Sequence, residues 1–519
     1  MPTQTVHSLP ERLYSADSVR VMDRYLIDQQ GVDGFELMQS AARAAFRQLR
    51  KGFPEAGRVL ALCGAGNNGG DGYLVAVNAL RHGLEARCVA VAPVEKLSGD
   101  AQKAASQARA EGVDILELSG LTAAELQAML SAADVVVDAM LGTGVTGAAR
   151  EPVAGVIRQL NETGKPVLAI DLPSGLDATT GWAEGEVVRA SLTVSFIGAK
   201  AGLYTGKGVG ACGRVVVEPL AMAEQGEDGQ QSPLAERYDW PACRRWLAPR
   251  ALDAHKGAFG HVLVVAGDHG FGGAGIMAAE AAARSGAGLV TLATRPEHVP
   301  ASLSRCPWVM ARGVSNGGEL VPLLTQADVV VCGPGLGKSA WGQQLLQLVL
   351  ASDKPRILDA DALNLLADQT PEPFARQVLT PHPGEAARLL HCRVSDIEED
   401  RLAAAQALQR TYGGVALLKG AGTVVATGAG LPAIIAGGNP GMATGGMGDV
   451  LSGIIGGLYG QTGGAGKSAI AGACAHLQAA DNAARIQGYI SLLPGDVIDA
   501  LAGVFRQVQC MTGNDREDE

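Results

Sequence analysis

Hydrophobic and polar positions run along this chain in two rounds of one pattern. In the first round, apolar runs of strand length (RVLALC, ARCVAVA, ADVVVDAML, PVLAIDLP and LTVSFIG) alternate with helix-like segments, and each ends near Gly, Pro or Asp. Strands buried on both faces read as continuous apolar runs, so the alternation predicts a parallel sheet covered by helices. Residues 223–233, AEQGEDGQQSP, lack large apolar side chains and are expected to be a linker. The pattern then restarts with HVLVVAG, GLVTLAT, ADVVVCGPG, RILDADAL and GVALLKG. Two α/β domains are therefore expected, at 1–222 and 236–510, joined by a linker at 223–235 and followed by a solvated acidic tail at 511–519. SAADVVVDAMLGTG and TQADVVVCGPGLG look alike, but any parallel strand emptying into a glycine loop has this form.

Composition narrows the function classes. A chain of 519 residues is too long for one ordinary core. Aromatics are only 4%, which disfavours stacking platforms for single-stranded nucleic acid. The formal net charge of -11 disfavours binding to a phosphate backbone, so a nucleotide would be held by local backbone N–H groups and a few cations. Nine cysteines without a C-x-x-C pair argue against a metal cage or a disulfide framework. The start, MPTQTVHSLPERLYSADSV, has neither the basic end nor the apolar stretch of a signal peptide, and no apolar run is long enough to cross a bilayer. A soluble, cytoplasmic protein is expected, with no nucleic-acid or membrane partner.

Candidate chemistry begins at CGAGNNGGDG, where Gly64-x-Gly66-x-x-Gly69 follows RVLALC and precedes a helical pattern. Such glycines permit a tight turn and close backbone approach, and a helix start favours an anion. A dinucleotide site also wants an acid at the end of the second strand, but here that strand ends in Ala92-Pro93, with Glu95 only in the loop beyond. Asn67, Asn68, Gly69, Gly70 and Asp71 put two amides and a carboxylate into what reads as a glycine turn. Asp138 is expected to begin the next loop, DAMLGTGVTG, and Asp171 follows the strand VLAI in DLPSGLD. Each Asp alone would ordinarily be a turn or cap residue. At the carboxyl edge of one parallel sheet, all three would converge on a single crevice. There Asp171 could be a partly desolvated base near neutral pH.

NNGGDG, DAMLGTG and DLPSGLD, in that order, resemble the NAD(P)H-hydrate epimerase domain over about residues 10 to 220. The resemblance implies a Rossmann-like three-layer domain in which Asn67 to Asp71 bind the phosphates of a hydrated nicotinamide nucleotide. It implies that Asn68, Asp138 and Ser174 ligate potassium. Gly142, Thr143, Gly144, Val145, Thr146, Gly147 and Ala148 would line the nucleotide. Asp171 would contact the damaged ring and is the candidate acid–base residue. Oxygen-only ligands suit a hard cation.

In the second half, NPGMATGGMGDVLSGIIGGL places Gly445, Gly446 and Gly448 before Asp449 and a helical pattern interrupted by small residues. Backbone N–H groups at such a helix start can hold a transferring phosphoryl group, with Asp449 placed to deprotonate an acceptor hydroxyl. A helix cap with close packing is the ordinary alternative. GQTGGAGKS fails the P-loop spacing and is expected to be a loop with its lysine exposed. LLKGAGT supplies Lys419 and exposed backbone after a strand, and TPHPGE rigidifies His382 between two prolines, unless that histidine is only a turn residue. GDHGFGGAGIMAA and GPGLG leave room for a substrate against the sheet.

HKGAFGHVLVVAGD, GPGLG, DADALN, TPHPGE, KGAGT and NPGMATGGMGD, in this order, resemble the ADP/ATP-dependent NAD(P)H-hydrate dehydratases, which have a ribokinase-like fold. The resemblance implies that Lys419, Gly420, Ala421, Gly422, Thr423 and Gly448 contact the adenine nucleotide. Ala274, Gly335, His382 and Asp449 would face the hydrated nicotinamide. Asp449 would be the base, magnesium would bridge the nucleotide phosphates, and ADP would be consumed to AMP and phosphate. The two resemblances together imply a bifunctional enzyme that epimerises R- and S-NAD(P)HX and dehydrates the S form. Its partners would be NADHX, NADPHX and ADP, and it would assemble as a homo-oligomer. The alternatives are a ribokinase-like small-molecule kinase and, for the first half, a nucleotide-binding or scaffold domain.

Overall fold

In the computed structural model, residues 9–144, 147–220 and 231–509 are described. Val145 and Thr146, most of the expected linker (223–230) and the expected acidic tail (511–519) lie outside the described residues. The chain divides into two compact units, Arg12–Ala235 and, apart from a few residues before Arg12, the chain from Glu236 onward.

The first unit is built on β1 (Arg58–Cys63), β2 (Glu85–Ala90), β3 (Asp114–Glu117), β4 (Val135–Ala139), β5 (Val167–Ile170), β6 (Leu192–Phe196) and β7 (Arg214–Glu218). All pair in parallel, in the order β3-β2-β1-β4-β5-β6-β7. Because side chains alternate across a strand, β1 feeds two cores. Val59, Ala61 and Cys63 join the helices Gly34–Gly52, Asn67–Arg81 and Gly99–Ala110, whereas Leu60 and Leu62 join Ala123–Ala132 and Val153–Thr163. The result is the expected three-layer α/β arrangement. Between β1 and β4 the chain turns to opposite sides of the sheet. The loops leaving Cys63 and Ala139 therefore part there and open a crevice.

The second unit contains β8 (Ala235–Tyr238), β9 (His261–Val265), β10 (Leu289–Thr294), β11 (Met310–Gly313), β12 (Val329–Cys332), β13 (Arg356–Leu358), β14 (Gln377–Leu379), β15 (Val415–Leu418), β16 (Val424–Ala426) and β17 (Ala433–Ile435). These run in the order β8-β17-β16-β15-β14-β13-β12-β9-β10-β11. Pairing is parallel except where β16 runs against both β15 and β17. The switch point lies at β9, whose neighbours are β10 and β12. β8 begins at Ala235, so the expected linker ends a residue earlier than its sequence suggests.

Several expected loops are helical. Asn67 to Asp71 are not a turn: they open the helix Asn67–Arg81, whose N-cap is Gly66. GQTGGAGKS is not a loop but two helix ends, Met447–Thr462 and Ala465–Gln487, separated by Gly463 and Gly464. Lys467 is exposed, as expected, on the first turn of the later helix. The small residues of VLSGIIGGL serve close packing. A Cβ at Gly453 would lie 2.2 Å from the Ala278 carbonyl oxygen, and one at Gly457 would lie 2.6 Å from that of Ala282. Larger residues there would push the helix Gly272–Arg284 away.

Candidate active sites

In the first unit the crevice is a cavity of about 560 Å³. Gly66, Asn67, Asn68, Asp71, Gly142, Thr143, Gly144 and Asp171 all line it, so the tertiary fold gathers the three predicted motifs. The glycines of the opening turn act by close approach rather than by left-handed backbone. A Cβ at Gly64 would sit 1.8 Å from the Met140 carbonyl oxygen and one at Gly69 would sit 2.0 Å from that of Gly64. Only Gly66 faces open space.

Asp138 departs from expectation. It is the fourth residue of β4 rather than the start of a loop, and it is fully buried. Its carboxylate accepts from the Ser174 N–H at 2.8 Å and from the Ser174 hydroxyl at 2.6 Å. Burial raises its pKa to about 6 against the pull of those hydrogen bonds. Ser174 Oγ also accepts from the Leu141 N–H at 2.9 Å, and Asn68 Nδ2 donates to the Leu141 carbonyl at 2.9 Å. Asn68 Oδ1 is left buried without a donor. A fully buried carboxylate, a buried hydroxyl and an orphaned amide oxygen form a hard-oxygen donor set that fits an alkali cation.

Asp171 has φ +66°, in the left-handed region where Asp is among the tolerated residues. It is not simply a desolvated carboxylate. The Lys200 ammonium, 1% exposed, lies 2.6 Å from Asp171 Oδ1 and also donates to Ser195 Oγ at 2.9 Å. Asp23, on the helix Ala16–Asp28, faces the same cavity, and its pKa is raised by burial and then by the charge of Asp171. Burial chiefly, and then Asp171 and Asp23, hold Asp71 well above the usual carboxylate range, and its Oδ1 is buried without a partner. Ile197, β-branched yet at φ +69°, lines the cavity beside Phe196. Such strain persists only where surrounding structure imposes it. Sequence reasoning missed Lys200, Asp23 and Ile197. The available signal was a lone lysine in the otherwise apolar stretch SFIGAKAGL.

In the second unit the predicted residues form two groups, Ala274 with Gly335 and Lys419 with Gly448. Ala274 is the third residue of the helix Gly272–Arg284, and Gly335, at φ +55°, lies against it: a Cβ on Gly335 would be 3.2 Å from the Ala274 Cβ. His382 stands at a helix start rather than in an open turn. It caps the helix Pro383–Leu389, its Nδ1 accepting from the Gly384 N–H at 2.9 Å. Burial and then the nearby Lys419 and Arg388 charges lower its pKa, which favours the neutral ring. Lys419 follows β15, and its backbone N–H donates to Pro381 at 2.8 Å, which ties the 419–423 loop to the His382 loop. Its ammonium contacts Asp359 at 2.7 Å and Glu385 at 3.8 Å. Gly420 and Gly422 adopt φ +131° and +65°, and Thr423 Oγ1 donates to the Gly420 carbonyl at 3.1 Å. Beneath them the buried Arg401 donates to the Lys419 carbonyl at 2.9 Å.

Asp449 is the third residue of the helix Met447–Thr462, not its cap; that position belongs to Gly446 at φ +96°. A Cβ at Gly448 would lie 3.1 Å from Lys419 Nζ, so the helix start abuts the 419–423 loop. Burial, and then the neighbouring Asp359 carboxylate, raise the Asp449 pKa to about 7. A buried carboxyl group of this kind can exchange a proton near neutrality. Asp359, Asp361 and Glu385 complete the site, although only their motifs were visible in the sequence.

Two family models match the chain: a YjeF-related protein N-terminus over residues 34–202 and an NAD(P)H-hydrate dehydratase over residues 262–502. The bifunctional NAD(P)H-hydrate repair enzyme Nnr of Coxiella burnetii is 44% identical over 489 residues, covering 94% of this chain and 98% of that protein. Its Escherichia coli namesake is 43% identical over 494 residues, covering 95% and 94%. Among solved structures, the Bacillus subtilis ADP/ATP-dependent NAD(P)H-hydrate dehydratase co-crystallised with ATP/Mg2+ is 27% identical, with a TM-score of 0.47. It covers 52% of this chain and 96% of that one.

Proposed function

The chain belongs to the family of bifunctional NAD(P)H-hydrate repair enzymes, and from that premise we propose how its residues divide the work. The protein is an enzyme with two activities, an NAD(P)H-hydrate epimerase and an NAD(P)H-hydrate dehydratase. We assign the epimerase to 1–222 and the dehydratase to 236–510.

In the epimerase, Asn67 to Asp71 and the loop from Gly142 through Ala148 hold the substrate's phosphates and ribose. Asp171 serves as acid and base at the damaged ring. Asp171 gives a proton to the hydroxyl as the ring nitrogen's lone pair expels it as water, and takes a proton back from the water that adds to the opposite face of the ring. Lys200, pinned to Asp171 at 2.6 Å, orients that carboxylate. The orphaned Asn68 Oδ1 beside Asp138 and Ser174 supports potassium binding there. Potassium would offset the buried Asp138 charge near the substrate phosphates. Exchanging potassium for a bulky organic cation is expected to slow R-to-S exchange and lower the first melting transition; unchanged values for both would remove the cation from the proposal.

The dehydratase must expel hydroxide from a saturated carbon. Asp449 takes the hydroxyl proton as its oxygen attacks the terminal phosphorus of ADP. The P–O bond to AMP breaks, and the ring nitrogen then expels phosphate. A proton lost from the adjacent ring carbon restores the double bond. Magnesium bound to the ADP phosphates would neutralise charge there. The carrying observation is Asp449, raised to about 7, at a glycine-opened helix start that abuts Lys419. Ala274, Gly335 and His382 face the nicotinamide, while Lys419 to Thr423 and Gly448 hold ADP. We further propose a cytoplasmic homo-oligomer. Incubation of the full chain with ADP or ATP and a mixture of R and S hydrates tests the assignment: recovery of reduced-nicotinamide absorbance with ADP, together with AMP and phosphate, is expected. Recovery with ATP alone would overturn the choice of donor.

A further inference from the structure

Asp359 occupies the N-cap position of the helix Ala360–Leu366, yet its side chain makes no capping hydrogen bond. It is 1% exposed. One carboxylate oxygen accepts from Lys419 Nζ at 2.7 Å, and the other is buried without a partner. The pair lies against the helix start that carries Asp449: a Cβ on Gly448 would be 3.1 Å from Lys419 Nζ and 3.5 Å from Asp359 Oδ2. Lys419 thus has carboxylates on several sides, and its ion pairs go to Asp359 and Glu385 rather than to Asp449.

We propose that Asp359 is a positioning residue for dehydration, holding the Lys419 ammonium at the nucleotide loop and away from Asp449 so that this carboxylate stays free to take the substrate's proton. The inference rests on the reading of Asp449 as the base and of 419–423 as the ADP loop. A direct Lys419–Asp449 pair would favour the charged carboxylate and make it a weaker base. The charged groups acting on Asp449 are Asp359 and Asp361 beyond β13, Glu385 on the helix Pro383–Leu389 and Lys419 beyond β15. His382 and the buried His476, on the helix Ala465–Gln487, lie close enough to Lys419 to feel its charge. Removing the Asp359 charge acts on Asp449 in one direction twice: a repelling carboxylate disappears, and the lysine it held is released.

The test uses the full chain carrying Asp359→Asn, with thermal melting of the same preparation, compared with the unsubstituted chain, as the readout of folding. The acidic limb of kcat/KM for dehydration is expected to move down by about one pH unit, and KM for ADP to rise about tenfold. Loss through Lys419 predicts that Asp359→Asn combined with Lys419→Met is no worse than Lys419→Met alone. A reduced rate with an unmoved limb would mean a structural role and overturn the proposal, as would additive losses in the double variant. If Asp359→Asn lowers the melting temperature, Asp359→Glu decides: a limb back at its original pH supports the charge, and a displaced limb refutes it. Asp449→Asn separates the two readings. Full dehydration by that variant would sink the base assignment itself, whatever Asp359 does.

Discussion

At the scale of residues, the two sites carry different electrostatics. The carboxylate of Asp171 is paired with a buried ammonium, whereas Asp449 is raised to about 7 mainly by burial, and its lysine is engaged by Asp359. Asp171→Asn is expected to slow R-to-S exchange by about 10²-fold or more and to leave dehydration of the S hydrate unchanged. Nuclear magnetic resonance exchange spectra of the two epimers measure the first, and nicotinamide absorbance the second. For Asp449 the base must be ionised, so kcat/KM for dehydration should fall as pH drops through about 7. A pH profile flat between about 6 and 8 would contradict that assignment. These partners were hard to read from the sequence because they are distant along the chain: Lys200 lies 29 residues from Asp171, and Lys419 lies 60 from Asp359. Residue type alone cannot say which buried lysine meets which acid.

At the scale of elements, glycine does two jobs that look identical in the sequence. Gly66 and Gly446 stand at helix N-caps facing or bordering the sites, while Gly64, Gly69, Gly453 and Gly457 let backbones touch. Gly453→Ala would set a methyl group 2.2 Å from the Ala278 carbonyl oxygen, where the helices Met447–Thr462 and Gly272–Arg284 touch. It should cost about 1–3 kcal/mol, read as a lowered melting temperature, with residual dehydration per folded molecule retained. The helices themselves explain why Asn67 to Asp71 and GQTGGAGKS read as loops. Glycine and asparagine are poor helix formers, and tertiary packing overrides local propensity at both places.

At the scale of the whole molecule, each unit has its own sheet, its own core and its own site. Chains carrying Asp171→Asn and chains carrying Asp449→Asn should therefore complement when mixed. Neither alone should restore a mixture of R and S hydrates fully with ADP, but the pair should, with a rate that depends on the concentration of both. Failure of the mixture to exceed the Asp171→Asn chain alone would mean that substrate does not exchange through solution. Among the described residues no helix is long and apolar enough to cross a membrane.

The periodicity of the sequence by itself determined the two mainly parallel sheets, because strands covered on both faces must be apolar throughout, but the antiparallel β16 of the second unit was not legible in it. The order of the glycine and aspartate motifs pointed to both candidate sites, since parallel strands deliver their loops to one edge. Only the tertiary structure decided which groups face each other there. It buried Asp138 inside a strand, set Lys200 on Asp171, and placed Asp359 on Lys419 rather than on its own helix cap. Those choices depend on distances between segments far apart in the chain, and periodicity, a local property, carries no information about them.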